Sequence, residues 1–223
     1  MIFRIIYSLI LYIGIVSCTQ LPKIYPHHPS GQRPPLKTES ICLNMFPQGR
    51  WQLFHAIEAN VPGNSKNRLT GVSILDSKNQ SIKWALMTIE GFVLFSGHYD
   101  DGKLSIDRAV TPFNKAGFAK GVLEALRLIF FKPFELQDIG FSENRDMVCR
   151  YGNKEGTTDI FVKANRQWLL HHYSSRNRLT QTIAVDQVVH IGNSFLPKHL
   201  ILENHGLIGY KLDMHLLEAV PMN

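Results

Sequence analysis

The 223-residue chain has only three cysteines, Cys18, Cys42 and Cys149. So few exclude a cysteine-rich metal module or a dense disulfide scaffold. Long apolar runs are equally scarce. The one sustained stretch, Ile5 to Val16, spans about a dozen residues, roughly half of a membrane-crossing helix. Charge of one sign does not dominate: 24 Lys and Arg stand against 18 Asp and Glu, a formal +6 spread along the chain. No zinc finger, basic helix or aromatic-studded basic strand is present, so no nucleic-acid partner is expected. Also missing are His-Glu-x-x-His, Cys-x-x-Cys and Gly-x-Ser-x-Gly, which carry zinc, redox and acyl-transfer chemistry. What remains is an ordinary globular composition, 44% apolar and 19% charged.

The N-terminus has a different character. Arg4 precedes the short apolar run, which ends in Ile15-Val16-Ser17-Cys18. This order resembles the bacterial lipobox, in which the cysteine thiol receives a diacylglyceryl group and a peptidase cuts just before it. Residues 1–17 therefore read as a signal peptide, and Cys18 as the lipidated first residue of a mature chain of about 206 residues. The alternative is a short uncleaved membrane helix. Thr19 follows the cysteine where Asp would retain a lipoprotein on the inner membrane, so the resemblance implies the outer membrane. Residues 18–40 read as a tether, with Pro22, Pro26, Pro29, Pro34 and Pro35 and no helical or strand period. Extended at about 3 Å per residue, it would hold a domain some tens of ångströms from the bilayer. Cys42 and Cys149 are either disulfide-bonded or two buried thiols.

Residues 41–223 form the folded domain. Strands are expected at 51–59, 68–75, 82–88, 92–99 and 104–110, joined by short turns such as Ile89-Glu90-Gly91 and Asp100-Asp101-Gly102. After Pro112, with Asn114 as N-cap, Phe118, Val122, Leu126, Ile129 and Phe130 recur at helical spacing until Pro133. Strands resume at 147–151, 158–164, 167–173, 180–191, 200–204 and 210–216. The expected class is mainly β (α+β): a large curved antiparallel sheet or incomplete β-barrel, with one or two helices across its concave face.

Ten histidines invite a search for metal or catalysis. His171 and His172 are neighbours on one strand and point to opposite faces. His199, His205 and His215 lie near the terminal hairpin and could converge, although scattered surface histidines are the commoner arrangement. Gly192-Asn193-Ser194 reads as a turn without a base partner, and Asp100-Asp101-Gly102 is too short for a calcium loop. No catalytic residue, metal or cofactor is expected, and the chain reads as a non-enzyme.

Residues 84–95, Trp-Ala-Leu-Met-Thr-Ile-Glu-Gly-Phe-Val-Leu-Phe, and residues 196–203, Leu-Pro-Lys-His-Leu-Ile-Leu-Glu, carry a resemblance to the LolB family of outer-membrane lipoproteins. The order of lipobox, tether, strand meander, amphipathic helix and terminal hairpin is similar too, over most of residues 48–219. The resemblance implies a LolA/LolB-like fold whose helix-covered concavity binds acyl chains. It also implies a lipid or acylated protein as ligand, a periplasmic carrier as partner, and attachment through the N-terminal lipid. Phe92, Leu94, Val122, Leu126, Leu212 and Met214, or their opposite-face neighbours, are the expected lining. Ile89 and Glu90 form the membrane-facing loop, where the family carries an exposed leucine. A carboxylate at that tip resists entering a bilayer. The alternative function is an accessory lipoprotein that docks a partner complex at the outer membrane.

Overall fold

The computed structural model describes residues 21–26, 36–61, 67–100, 102–111, 113–114, 117–163, 166–206 and 209–222. Residues 1–17, read above as a signal peptide, and Cys18, Thr19, His27, His28, Pro29, Pro34, Pro35, Asp101 and Pro112 lie outside the described residues.

The chain runs β1 (Tyr25–Pro26), α1 (Leu36–Leu43), β2 (Arg50–Asn60), β3 (Asn67–Asp76), β4 (Ser81–Met87), β5 (Val93–Asp100), β6 (Lys103–Ala109) and α2 (Phe118–Phe130). It continues through β7 (Glu135–Phe141), β8 (Met147–Gly152), β9 (Gly156–Val162), β10 (Trp168–Ser174), β11 (Leu179–Ile191), β12 (Ser194–Asn204) and β13 (Tyr210–Met222). All the described strands form one antiparallel sheet in the order β1-β7-β8-β9-β10-β11-β12-β13-β2-β3-β4-β5-β6. Two meanders, β2–β6 and β7–β13, are therefore zipped together where the last strand pairs with the first long one.

That topology explains the helix. β6 ends at one margin of the sheet and β7 begins near the other, so the chain must cross the whole width between them. It does so as α2, over the concave face. Period-two alternation decides which side chains meet it: in β2, Trp51, Leu53, His55, Ile57 and Ala59 are buried, while their intervening neighbours are half-exposed. Bulges at Val185/Gln187, Gln187/Val188 and Leu216/Glu218 bend the long strands that give the sheet its curvature.

The expected helix face is present: Phe118, Val122, Leu126, Ile129 and Phe130 are all buried. Burial goes further, because Leu123, Ala125 and Leu128 are enclosed as well. This wide apolar face sinks into the core, and only the stripe of Lys120, Glu124 and Arg127 is left facing outward. Its N-cap is Gly117, at φ +83°, where glycine has no Cβ to obstruct the left-handed conformation. Asn114, expected to cap the helix, instead donates its backbone N–H to the carbonyl of Val110.

Four elements depart from the sequence reading. β7 was not expected: Glu135, Gln137, Asp138 and Gly140 are poor strand formers, and a bulge between Leu136 and Asp138 breaks the alternation. β12 begins at Ser194 instead of Leu200 and carries Pro197 opposite Val188, beside the bulges of β11, where a missing N–H is tolerated. The span read as a free tether contains both β1, paired with Phe141 and Gly140, and helix α1.

Candidate functional site

Helix α1 has eight residues and little amphipathic pattern, so it is too short to persist alone. Tertiary contacts hold it. Cys42 is fully buried and disulfide-bonded to Cys149 on β8, with the two Cα atoms 5.8 Å apart. The Tyr151 hydroxyl, also on β8, donates to the carbonyl of Cys42 at 2.6 Å. Just beyond the helix, the Ser194 hydroxyl donates to the Gln48 carbonyl (2.7 Å) and accepts from the Gln48 N–H (3.2 Å). The Gly192-Asn193-Ser194 turn thus clamps the segment that follows α1, and its serine is occupied by backbone partners.

So fixed, α1 roofs a groove of about 360 Å³ at the ends of β9–β12. Ile41 lines it from the helix, Met45 from the turn just after it, and Val162, Trp168, Val188, Phe195 and Pro197 from the sheet. Lys163 and Arg166 stand among the same walls, the Arg166 guanidinium 3.5 Å from the centre of the Phe195 ring. An apolar interior with cations beside it suits a chain-like molecule with an anionic head. A larger cleft of about 860 Å³ flanks α2, but Lys120, Glu124, Arg127, His172 and Asn204 make its walls mixed in charge.

The expected lining is placed elsewhere. Val122, Leu126, Leu212 and Met214 are at most 1% exposed and belong to the packed core, because α2 fills the concavity that they were expected to border. Leu94 is half-buried against that core and borders a separate cleft of about 280 Å³ beside Thr88, Ile89 and Glu90. Phe92 is 72% exposed and lies outside both. It sits with Ile89, 74% exposed, on the β4–β5 connection. That turn is tight. Thr88 N–H donates to the Phe92 carbonyl and Gly91 N–H to the Thr88 carbonyl, both at 3.0 Å, with Gly91 at φ +91°. Between the two apolar side chains, hydrogen bonds from the Thr88 side chain and from its own backbone hold the Glu90 carboxyl below its usual pKa. The tip is therefore two apolar residues astride an ionised carboxylate.

Beneath α2, His55 is 1% exposed, and among the described residues neither ring nitrogen has a hydrogen-bond partner. Burial pushes its pKa down to about 4. Its ring centre lies 6.5 Å from that of Phe130 on α2. His171 and His172 point to opposite faces as expected, the first stacking edge-on with Phe161 and the second contacting the Thr158 hydroxyl.

On the convex face, two of the three C-terminal histidines do converge. His199 on β12 and His215 on β13 are register partners, with rings stacked 4.1 Å apart. His199 Nδ1 is 2.7 Å from Asp186 and Nε2 is 2.9 Å from Asp213. Burial opposes its protonation, but the hydrogen bonds to Asp213 and Asp186 prevail and raise its pKa. His205 is not part of this group; its Nε2 lies 2.8 Å from the Thr182 hydroxyl.

The fold is similar to that of solved structures. A LolA superfamily protein from Nitrosomonas europaea superposes with a TM-score of 0.56 at 12% identity, covering 83% of this chain and 94% of that one. A domain assigned to outer-membrane lipoprotein sorting in Vibrio parahaemolyticus gives 0.47 at 9% identity, covering 84% and 90%. A DUF1329 family protein from Desulfovibrio piger gives 0.46 at 9%, covering 85% and 94%. Only the first carries weight, and at that identity for the fold alone. No family model and no curated protein matches the sequence.

Proposed function

We propose that this chain is a non-enzymatic, lipid-anchored protein of the periplasmic side of the outer membrane, which takes an acyl chain of a lipid or lipoprotein into the groove under α1. The observation that carries the reading is the groove itself: apolar walls, a volume of about 360 Å³, and Lys163 and Arg166 placed to meet an anionic head. That volume lies at the lower end of the roughly 300–1,000 Å³ of small-molecule sites. About ten enclosed methylenes at roughly 0.8 kcal/mol each supply some 8 kcal/mol, a micromolar affinity before the cost of ordering the chain. The disulfide suits an oxidising compartment. The Ile89/Phe92 tip suits contact with a membrane or with a hydrophobic partner such as a periplasmic carrier.

The anchor in this reading is short. The Arg150 guanidinium donates to the Pro22 carbonyl at 2.8 Å, so the chain is already docked on the sheet at that residue. Four residue steps from Cys18, at no more than about 3.6 Å each, bring the lipid within roughly 14 Å of that contact. The domain sits close to the bilayer instead of swinging on a long tether.

Titrating the chain expressed from residue 19 onward with a fluorescent fatty acid tests the reading. Binding in the tens of micromolar or tighter is expected. Val188→Trp should fill the groove and weaken it about tenfold, and Arg166→Ala should weaken a carboxylate ligand more than a neutral acyl alcohol. No acyl binding in that range would favour the docking lipoprotein.

A further inference from the structure

We infer that the convex face carries a site for a divalent transition-metal ion, zinc in first place, formed by Nε2 of His199, Oδ1 of Asp213 and Nε2 of His215, with Asp186 orienting His199 from behind.

The ligand atoms are already assembled. All three lie within 4.8 Å of one another. Nε2 of His199 is 2.9 Å and Nε2 of His215 is 3.2 Å from the same Asp213 oxygen. Ligand bonds of about 2.0–2.2 Å around a tetrahedral zinc place neighbouring donors about 3.3 Å apart, so the two Asp213 pairs need little change and the two Nε2 atoms are brought to a common ion by a turn of the His215 ring. Three adjacent strands fix the backbone: β12 and β13 by direct register, and β11 by a bulge in which Asp186 and Gln187 together occupy the place opposite His199.

The partner of the other imidazole nitrogen makes this more than a cluster of polar residues. Asp186 accepts from Nδ1–H of His199 at 2.7 Å, which leaves Nε2 as the coordinating atom. A carboxylate behind a histidine is the usual support of a metal ligand, because it sets the ring's orientation and strengthens its basicity. His199 is only 12% exposed at the side chain and is held from both sides. His215 is 58% exposed, so its ring is free to turn from the stacked arrangement and aim Nε2 at the ion. The ion takes the place of the hydrogen now joining His199 Nε2 to Asp213, and that proton leaves to solvent. Two imidazoles and a carboxylate favour zinc, copper or nickel over magnesium or calcium, and water completes the coordination.

Calorimetric titration of the full chain in detergent with Zn²⁺, and visible absorption of the Co²⁺ form, test the site. One ion per chain is expected, with Co²⁺ bands of a low-coordinate nitrogen and oxygen environment. His199→Asn and His215→Gln should each weaken binding by about tenfold or more, and Asp186→Asn by roughly 10–100-fold. His205→Gln and the double variant His27→Gln/His28→Gln should bind as the parent does. Because His215 is exposed, its variant should melt at the parent temperature in chelator, separating loss of a ligand from loss of fold. The inference is overturned by absence of saturable binding, by binding that survives His215→Gln, or by binding that Asp186→Asn leaves unchanged.

Discussion

Removing the Cys42–Cys149 disulfide should both destabilise the domain and open the groove. The bond spans 107 residues and joins a segment ahead of β2 to β8 in the second meander. Closing a loop of roughly 100 residues in the unfolded chain is worth about 4.7 kcal/mol by the chain-entropy account, an upper bound because residual structure in the unfolded state lowers it. A realistic loss is therefore about 2–4 kcal/mol, a large share of the roughly 5–15 kcal/mol that keeps a domain folded. The local consequence comes first. Without the bond, α1 keeps the Tyr151 hydrogen bond to the Cys42 carbonyl and the Ser194 clamp, each worth about 1 kcal/mol. An eight-residue helix with so few ties frays. The assay is urea unfolding of the parent and of Cys42→Ala/Cys149→Ala, with hydrogen exchange of the α1 amides and fatty-acid binding measured on both. The variant should lose α1 protection and acyl binding under conditions where the sheet remains folded. Unchanged unfolding free energy with α1 still protected would refute the reasoning.

Three other outcomes follow from the geometry. Leu126→Ala should cost about 2–5 kcal/mol in urea unfolding, since its side chain is 1% exposed in the core under the sheet, and Leu126→Asp should prevent folding. His55 takes up a proton only near pH 4 when folded but near 6.5 when unfolded, so the unfolded state binds the extra proton between those values. Stability should therefore fall by about 3 kcal/mol from His55 alone as the pH drops through that window, with His172 adding a decline of the same sign. Unfolding of His55→Leu should show a shallower slope, and an unaltered slope would exclude His55 as its source. At the β4–β5 tip, Ile89→Ser/Phe92→Ser should reduce flotation of the residue-19-onward chain with liposomes, and Glu90→Leu should increase it. Equal flotation of all three would mean that the tip does not touch membrane.

Local chemistry in the sequence determined much of this molecule. Alternating residues in β2, β3 and β13 and the helical spacing of Phe118, Val122, Leu126 and Ile129 each report the solvent exposure of their own element. A curved antiparallel sheet with a helix over it follows from their order. What sequence spacing could not convey was how deeply α2 sinks. The spacing marks which face of α2 is apolar but not how closely the sheet packs on it, so Val122, Leu126, Leu212 and Met214 became core instead of lining. Nor could it reveal α1, whose weak amphipathic pattern is overruled by a disulfide and a tyrosine hydrogen bond arriving from more than a hundred residues away. The groove walls come from α1 and four strands, and the convex histidine cluster needs the register of β12 against β13 and the bulge in β11. Both sites join residues through pairings distant in sequence, and such pairings leave no periodic trace in either partner, so only the tertiary structure could decide them.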